Sequence, residues 1–577
     1  MTILAKQLQR ALTICQKRRK LRRLWLMVAL WGCLAPAARA SEPPAGSDSL
    51  SAPAAVSRFT RLRKQLEGLL HSGLLGKLRV GLTVRDAGSG EEVISHNASA
   101  PFNPASNTKI FTTAAALSTL GPDFRYQTSL LAPLVPPAPP EIAAAAAGRP
   151  ELDAAPAASP DEEVIAGDVF LQGSGDPSLT PSGLSQLARE LVLRGIRRID
   201  GEVRLDGLFR DAQVLPQGTT AATFGSGAIT LNRDAYAVRV DPGEAGRAAS
   251  VFVDSRSPFF IVRNLVRTVR GKRSRILVDH ALQGDRLAVT VRGRIGVRSG
   301  RVSVRKRFAF ATAWAAAILK QALADSGITV RGGVRVGPPP PGPLRVLATH
   351  QSEPLADICR VVNKDSNNYV ADVLWKTLGA ERFGLPGTLE KGARAVDEWL
   401  EPLGLSPSRV HLVNGSGLTY ENRIRPEDLG QLLYTLYHRL DLGPVFMQTL
   451  AVGGIDGTIH HRFHGALSGL VRGKTGTLNG VSVLSGYVGA EPGVLIFTIF
   501  VEGFRPRRLP AIRQAQADLV AEMMRSLRDG GSLPGGPPAG PSPALGPDEA
   551  APSPSLPASS DAPDSPELLE GEGSDAS

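Results

Sequence analysis

Ser106 and Lys109 stand three residues apart in Pro104-Ala105-Ser106-Asn107-Thr108-Lys109, at the head of the apolar run Ile110 to Leu120. That run is rich in Ala and Leu and stops at Gly121-Pro122, so it reads as a helix with Ser106 at its N-terminus. Residues three apart share a helix face, which brings the hydroxyl and the amine together. A serine hydroxyl is a weak nucleophile until a base takes its proton, and a neutral lysine does this. The exposed N–H groups of a first helical turn also favour negative charge developing there.

The spacing alone also fits a surface helix cap beside a solvated lysine. Ser303-Val304-Arg305-Lys306 repeats it in a basic, strand-like stretch with no helix starting at its serine, and that copy is a coincidence. Context separates the two. Ser366-Asn367-Asn368 lies between two predicted helices, whereas Ser95-His96-Asn97, of the same form, falls in a predicted hairpin. Lys474-Thr475-Gly476-Thr477 closes a predicted strand, and its Lys-Thr-Gly triplet occurs once. A strand edge pairs with an extended substrate backbone. Gly476 lets that backbone approach where a Cβ would obstruct it. A cation beside a hydroxyl suits a substrate carboxylate.

Other polar residues read as structure. Asp176 sits in Gly173-Ser174-Gly175-Asp176-Pro177, where Asp before Pro is turn chemistry. Ser416, between Gly415 and Gly417, is a tight turn whose flanks do not match a hydrolase nucleophile elbow. His460, His461 and His464 fall in a polar loop, and neither a metal nor another cofactor is expected.

The order Ser-x-x-Lys, Ser-x-Asn, Lys-Thr-Gly resembles that of penicillin-binding proteins and serine β-lactamases. It is most similar to the D-alanyl-D-alanine carboxypeptidase/endopeptidase family of low-molecular-mass class C penicillin-binding proteins. Gly175-Asp176-Pro177, Asn363-Lys364-Asp365-Ser366-Asn367-Asn368, Asn414-Gly415-Ser416-Gly417-Leu418 and Gly473 to Gly480 carry the likeness, as do the 260 positions between Ser106 and Ser366. The resemblance implies an α+β transpeptidase fold, an antiparallel sheet flanked by helices with a helical subdomain, carrying a large mainly-β insertion. It implies acyl transfer: Lys109 deprotonates Ser106, which attacks the carbonyl between two D-alanines. Backbone N–H groups of Ser106 and Thr477 would hold the oxyanion. Ser366, helped by Lys474, would protonate the departing amine. Asn368 would hold the substrate amide, Thr475 the terminal carboxylate, and Gly476 and Thr477 would line the substrate. The implied partners are peptidoglycan and, as covalent inhibitors, β-lactam antibiotics. A β-lactamase-like hydrolase and an envelope scaffold with a vestigial site are the alternatives.

These residues need a scaffold, and the chain's composition divides it. Residues 1–40 carry nine Lys or Arg and no acid, then the apolar run Leu24 to Ala38 and the small-x-small triplet Ala38-Arg39-Ala40. This reads as an export signal; a retained anchor and lipid attachment at Cys33 are the alternatives. Residues 41–57 read as a linker. Cleavage after Ala40 leaves Cys359 as the remaining cysteine, so stability rests on a core rather than disulfides. Residues 58–130 and 345–528 form the expected catalytic domain, interrupted by a mainly-β region at 131–344. That region opens with the Ala/Pro tract Pro136 to Glu163, an exposed loop with little capacity for a core. Residues 529–577 hold nine acids and no base among Pro, Ser, Gly and Ala, and read as a disordered tail.

Without signal and tail the net charge remains +12. No nucleic-acid motif accompanies that charge, and export argues against such a role. Weak association with an anionic wall polymer or membrane surface fits it. Sequence leaves the oligomeric state open.

Overall fold

The structure, a computed structural model, describes residues 59–134, 163–206, 229–253, 257–284, 286–307, 311–337, 339, 341–490 and 493–529. The expected signal, the linker, nearly all of the Ala/Pro tract and the tail beyond Asp529 lie outside them.

Strand Gly493–Glu502 is an apolar run buried along almost its whole length, as a strand covered on both faces must be. It forms part of a six-stranded sheet ordered Ala451–Val452, Val471–Leu478, Val481–Ala490, Gly493–Glu502, Arg79–Asp86, Glu92–His96. Every neighbouring pair is antiparallel. The expected early hairpin thus adds to the edge of the later strands. On one face, Leu62, Leu66 and Leu70 of helix Thr60–His71 and Leu519, Met523 and Leu527 of helix Leu509–Asp529 pack on Leu82, Val84, Leu484 and Ile499. On the other, Val483, Ile496 and Phe500 meet a helical layer built from Thr108–Leu120, Leu355–Lys364, Asn368–Phe383, Leu389–Leu400 and Pro426–His438. Among the described residues, no helix is long and apolar enough to cross a membrane.

The mainly-β region has its own core, in which Leu184, Leu187, Trp314 and Leu319 of two helices pack over several small sheets. Its five-stranded sheet includes Gln127–Pro133 beside Leu344–Gln351, with Gln127 opposite Gln351. The chain therefore enters and leaves on adjacent strands. The boundaries expected at 130/131 and 344/345 fall inside these strands, because cross-strand pairing, invisible to composition, extends the region to Gln127 and Gln351. Ser303 and Lys306 lie in strand Val302–Arg307, where positions three apart point to opposite faces.

Candidate active site

The chain turns into the nucleophile helix through a short 3₁₀ turn, Ala105–Asn107, followed directly by Thr108–Leu120. The helix thus begins before Ile110, and Ser106 occupies its lead-in. Ala105 has φ 44, a left-handed conformation that costs a non-glycine residue on the order of 1–2 kcal/mol. Asn103 offsets that strain, its Oδ1 accepting from Ala105 N at 2.8 Å while its Nδ2 donates to the Thr419 carbonyl at 3.0 Å.

Lys109 is fully buried. Its Nζ lies 3.0 Å from Ser106 Oγ and donates to Asn368 Oδ1 at 2.7 Å and to the Ser416 carbonyl at 2.5 Å. Two carbonyl-type acceptors and one hydroxyl match a neutral amine, with two N–H donors and a lone pair facing the serine proton. Burial brings the Lys109 pKa down to about 7, against an upward pull from Asp372.

Ser366 joins helices Leu355–Lys364 and Asn368–Phe383 with φ 56, a second strained non-glycine residue at the site. Asn367 caps the second helix by accepting from Val370 N at 3.0 Å, which fixes Asn368 on its first turn facing Lys109. Ser366 Oγ accepts from Lys474 Nζ at 2.8 Å, and the same amine donates to its own strand at the Thr475 carbonyl, 2.9 Å away. Lys474 is fully buried, and burial, then repulsion from Lys109, lowers its pKa well below the usual lysine value, with Asp365 opposing.

Lys474 to Thr477 do not end their strand; it continues to Leu478. Strand Ala451–Val452 pairs only as far as Gly473, so the edge from Lys474 onward has no strand beside it among the described residues. That edge approaches the Ser106 turn closely. A Cβ at Gly476 would sit 2.9 Å from Pro104 O and 3.0 Å from Ser106 N. The Thr475 hydroxyl donates to Thr458 Oγ1 at 2.8 Å, and Thr477 is exposed.

Sequence reasoning missed two contributors. The Ser416 turn supplies a carbonyl to Lys109, and the buried carboxylate of Asp372 holds that turn in place. The available signal was an acid four residues after Asn368 in a helix whose middle is buried. Asp176 behaves as turn chemistry, its Oδ1 accepting from Ser178 N and Oγ at 2.7 and 2.6 Å. The rings of His460 and His461 lie tilted against each other with centroids 3.6 Å apart.

A serine carrying its own buried lysine, a second serine–lysine pair and an open strand edge, set between an antiparallel sheet and a helical layer, define a penicillin-recognising serine peptidase. The chain belongs to the D-Ala-D-Ala carboxypeptidase 3 (S13) family, whose model matches residues 62–156 and 154–523. A D-alanyl-D-alanine carboxypeptidase of Actinomadura sp. (strain R39) is 29% identical over 83% of this chain and 87% of its own. The crystal structure of penicillin binding protein 4 (dacB) from Haemophilus influenzae superposes with a TM-score of 0.62, at 24% identity, over 80% of this chain and 99% of that one. The same protein complexed with a β-lactam gives a TM-score of 0.58 at 23% identity over 81% and 99%. The chain is a serine-type D-Ala-D-Ala carboxypeptidase, a peptidase hydrolase.

Proposed function

We propose that this peptidase works on peptidoglycan stem peptides and cross-links through an acyl-enzyme on Ser106, in the envelope of a bacterium. The observation that carries the reading is the set of partners around Lys109 Nζ: Ser106 Oγ at 3.0 Å and two carbonyl-type acceptors. The neutral amine takes the Ser106 proton as Oγ attacks the carbonyl between two D-alanines. Negative charge on that carbonyl oxygen meets the N–H groups of Ser106 and Thr477. Ser366, hydrogen-bonded by Lys474, passes a proton to the departing amine, and water then cleaves the ester. Asn368 spends Oδ1 on Lys109, which leaves its amide N–H for the substrate. Thr475 and the open edge at Gly476 hold the terminal carboxylate and backbone. β-Lactams acylate the same serine, in keeping with the β-lactam complex of the Haemophilus protein.

The basic N-terminal segment marks export, and the mainly-β region aids engagement of large wall fragments. A basic surface supports weak association with anionic wall or membrane. Arg267, Arg294 and Arg275 stand abreast and exposed on three neighbouring strands, although like charges placed so disfavour the sheet. Digestion of defined wall fragments, read by mass spectrometry, tests the function. Loss of a terminal D-alanine or splitting of cross-linked dimers is the expected product; intact fragments overturn it.

A further inference from the structure

Asp372 is nearly fully buried on helix Asn368–Phe383, one turn after Asn368. Its Oδ1 accepts from two consecutive backbone donors, Gly415 N at 3.0 Å and Ser416 N at 2.9 Å. Those donors belong to the turn Asn414–Gly417, which is locked further where Asn414 Oδ1 accepts from Gly417 N at 2.9 Å. Gly417 has φ 76, and a Cβ there would fall 1.9 Å from Ala105 O, so the turn lies flush against the residue before Ser106. The outward carbonyls of the turn serve the nucleophile helix: Ser416 O accepts from Lys109 Nζ at 2.5 Å and Gly415 O from Thr112 Oγ1 at 2.8 Å. One helix therefore reaches the lysine twice, directly through Asn368 Oδ1 and through the turn that Asp372 holds.

We propose that Asp372 is a positioning residue for the general base: its carboxylate anchors the turn that presents the Ser416 carbonyl to Lys109, and its charge governs how readily that amine gives up its proton. The proposal rests on the reading of Lys109 as the base. The charged groups next to the pair are Lys376 on the same helix, which acts on Asp372, and Lys474 on strand Val471–Leu478, which repels Lys109 and is itself offset by Asp365. Burial pushes the Asp372 carboxyl up to about 6, while Lys109 pulls it down. The two N–H groups on Oδ1 favour the carboxylate, and as an anion it favours the ammonium form of Lys109. A neutral residue at 372 therefore makes the amine easier to deprotonate.

Asp372→Asn keeps an oxygen acceptor for the two N–H groups and removes the charge; Asp372→Ala removes both. Stopped-flow acylation by a fluorescent penicillin, followed across the neutral pH range with melting as the check on folding, separates the roles. In Asp372→Asn the rising limb of acylation is expected about one pH unit lower than in the native protein, with a plateau within about tenfold. In folded Asp372→Ala the plateau is expected to fall about a hundredfold or more, because the carbonyl that aims Lys109 is released. A purely structural role would lower plateaus without moving the limb. An Asp372→Asn limb that coincides with the native one overturns the proposal alone, whereas absence of any native acylation overturns the Ser106 reading together with it.

Discussion

Gly476→Ala perturbs the contact that brings the substrate-binding edge onto the nucleophile. The added Cβ would meet Pro104 O at 2.9 Å and Ser106 N at 3.0 Å, both backbone atoms on a turn tied down by Asn103. Neither can swing away as a side-chain tip does, so strand and turn must separate by a few tenths of an ångström. Overpacking of this kind costs about 1–3 kcal/mol of stability. The catalytic effect is larger in relative terms. The proposed oxyanion donors, Ser106 N and Thr477 N, belong to the turn and the strand that this contact joins, and misplacement approaching 1 Å costs roughly 10²-fold in rate. Acylation by a fluorescent penicillin is expected to fall about 10- to 100-fold, with a modest drop in melting temperature. Gly88→Ala is the control, since its Cβ would have only Asp86 Oδ1 at 3.6 Å. Native-rate acylation by a folded Gly476→Ala protein would refute the reasoning.

Lys109 yields two further expectations. Acylation of the native protein rises with pH through about 7, where the buried amine becomes neutral, and a stopped-flow pH series shows whether it does. The same depression opposes folding at neutral pH, because the unfolded chain holds the proton up to 10.5 and the folded one does not. At pH 7 that amounts to on the order of 4 kcal/mol, shrinking as pH approaches the unfolded value. Native stability to urea should therefore climb between these pH values, and Lys109→Met should lessen the climb, which buried Lys474 shares, while abolishing acylation. Joining Tyr126 to Ser352 across the paired residues Gln127 and Gln351 should spare acylation by penicillin and lower cleavage of intact wall, as measured by release of soluble fragments.

The side chains to which the chemistry is assigned were legible because covalent spacing places them: three residues on one helix turn for Ser106 and Lys109, adjacent strand positions for Lys474 to Thr477. What completes the site was not. Ser416 contributes a backbone carbonyl, which every residue owns, so its type carries no signal. Asp372 matters through burial, which follows from the tertiary packing of helix Asn368–Phe383 rather than from its neighbours in sequence. The left-handed backbone at Ala105 and Ser366 was equally hidden, since glycine there would have advertised it and alanine and serine do not. Local patterns marked residues 131–344 as mainly β, yet the region's limits depend on Gln127 meeting Gln351 far along the chain.

Which oxygen becomes acylated decides whether Ser106 is the nucleophile and Lys109 its base. Penicillin-treated protein, digested and sequenced by mass spectrometry, should carry one adduct, on the peptide containing Ser106, and Ser106→Ala should carry none. An adduct on Ser303, Ser366 or Ser416, or labelling that survives Ser106→Ala, would contradict the assignment of nucleophile and base.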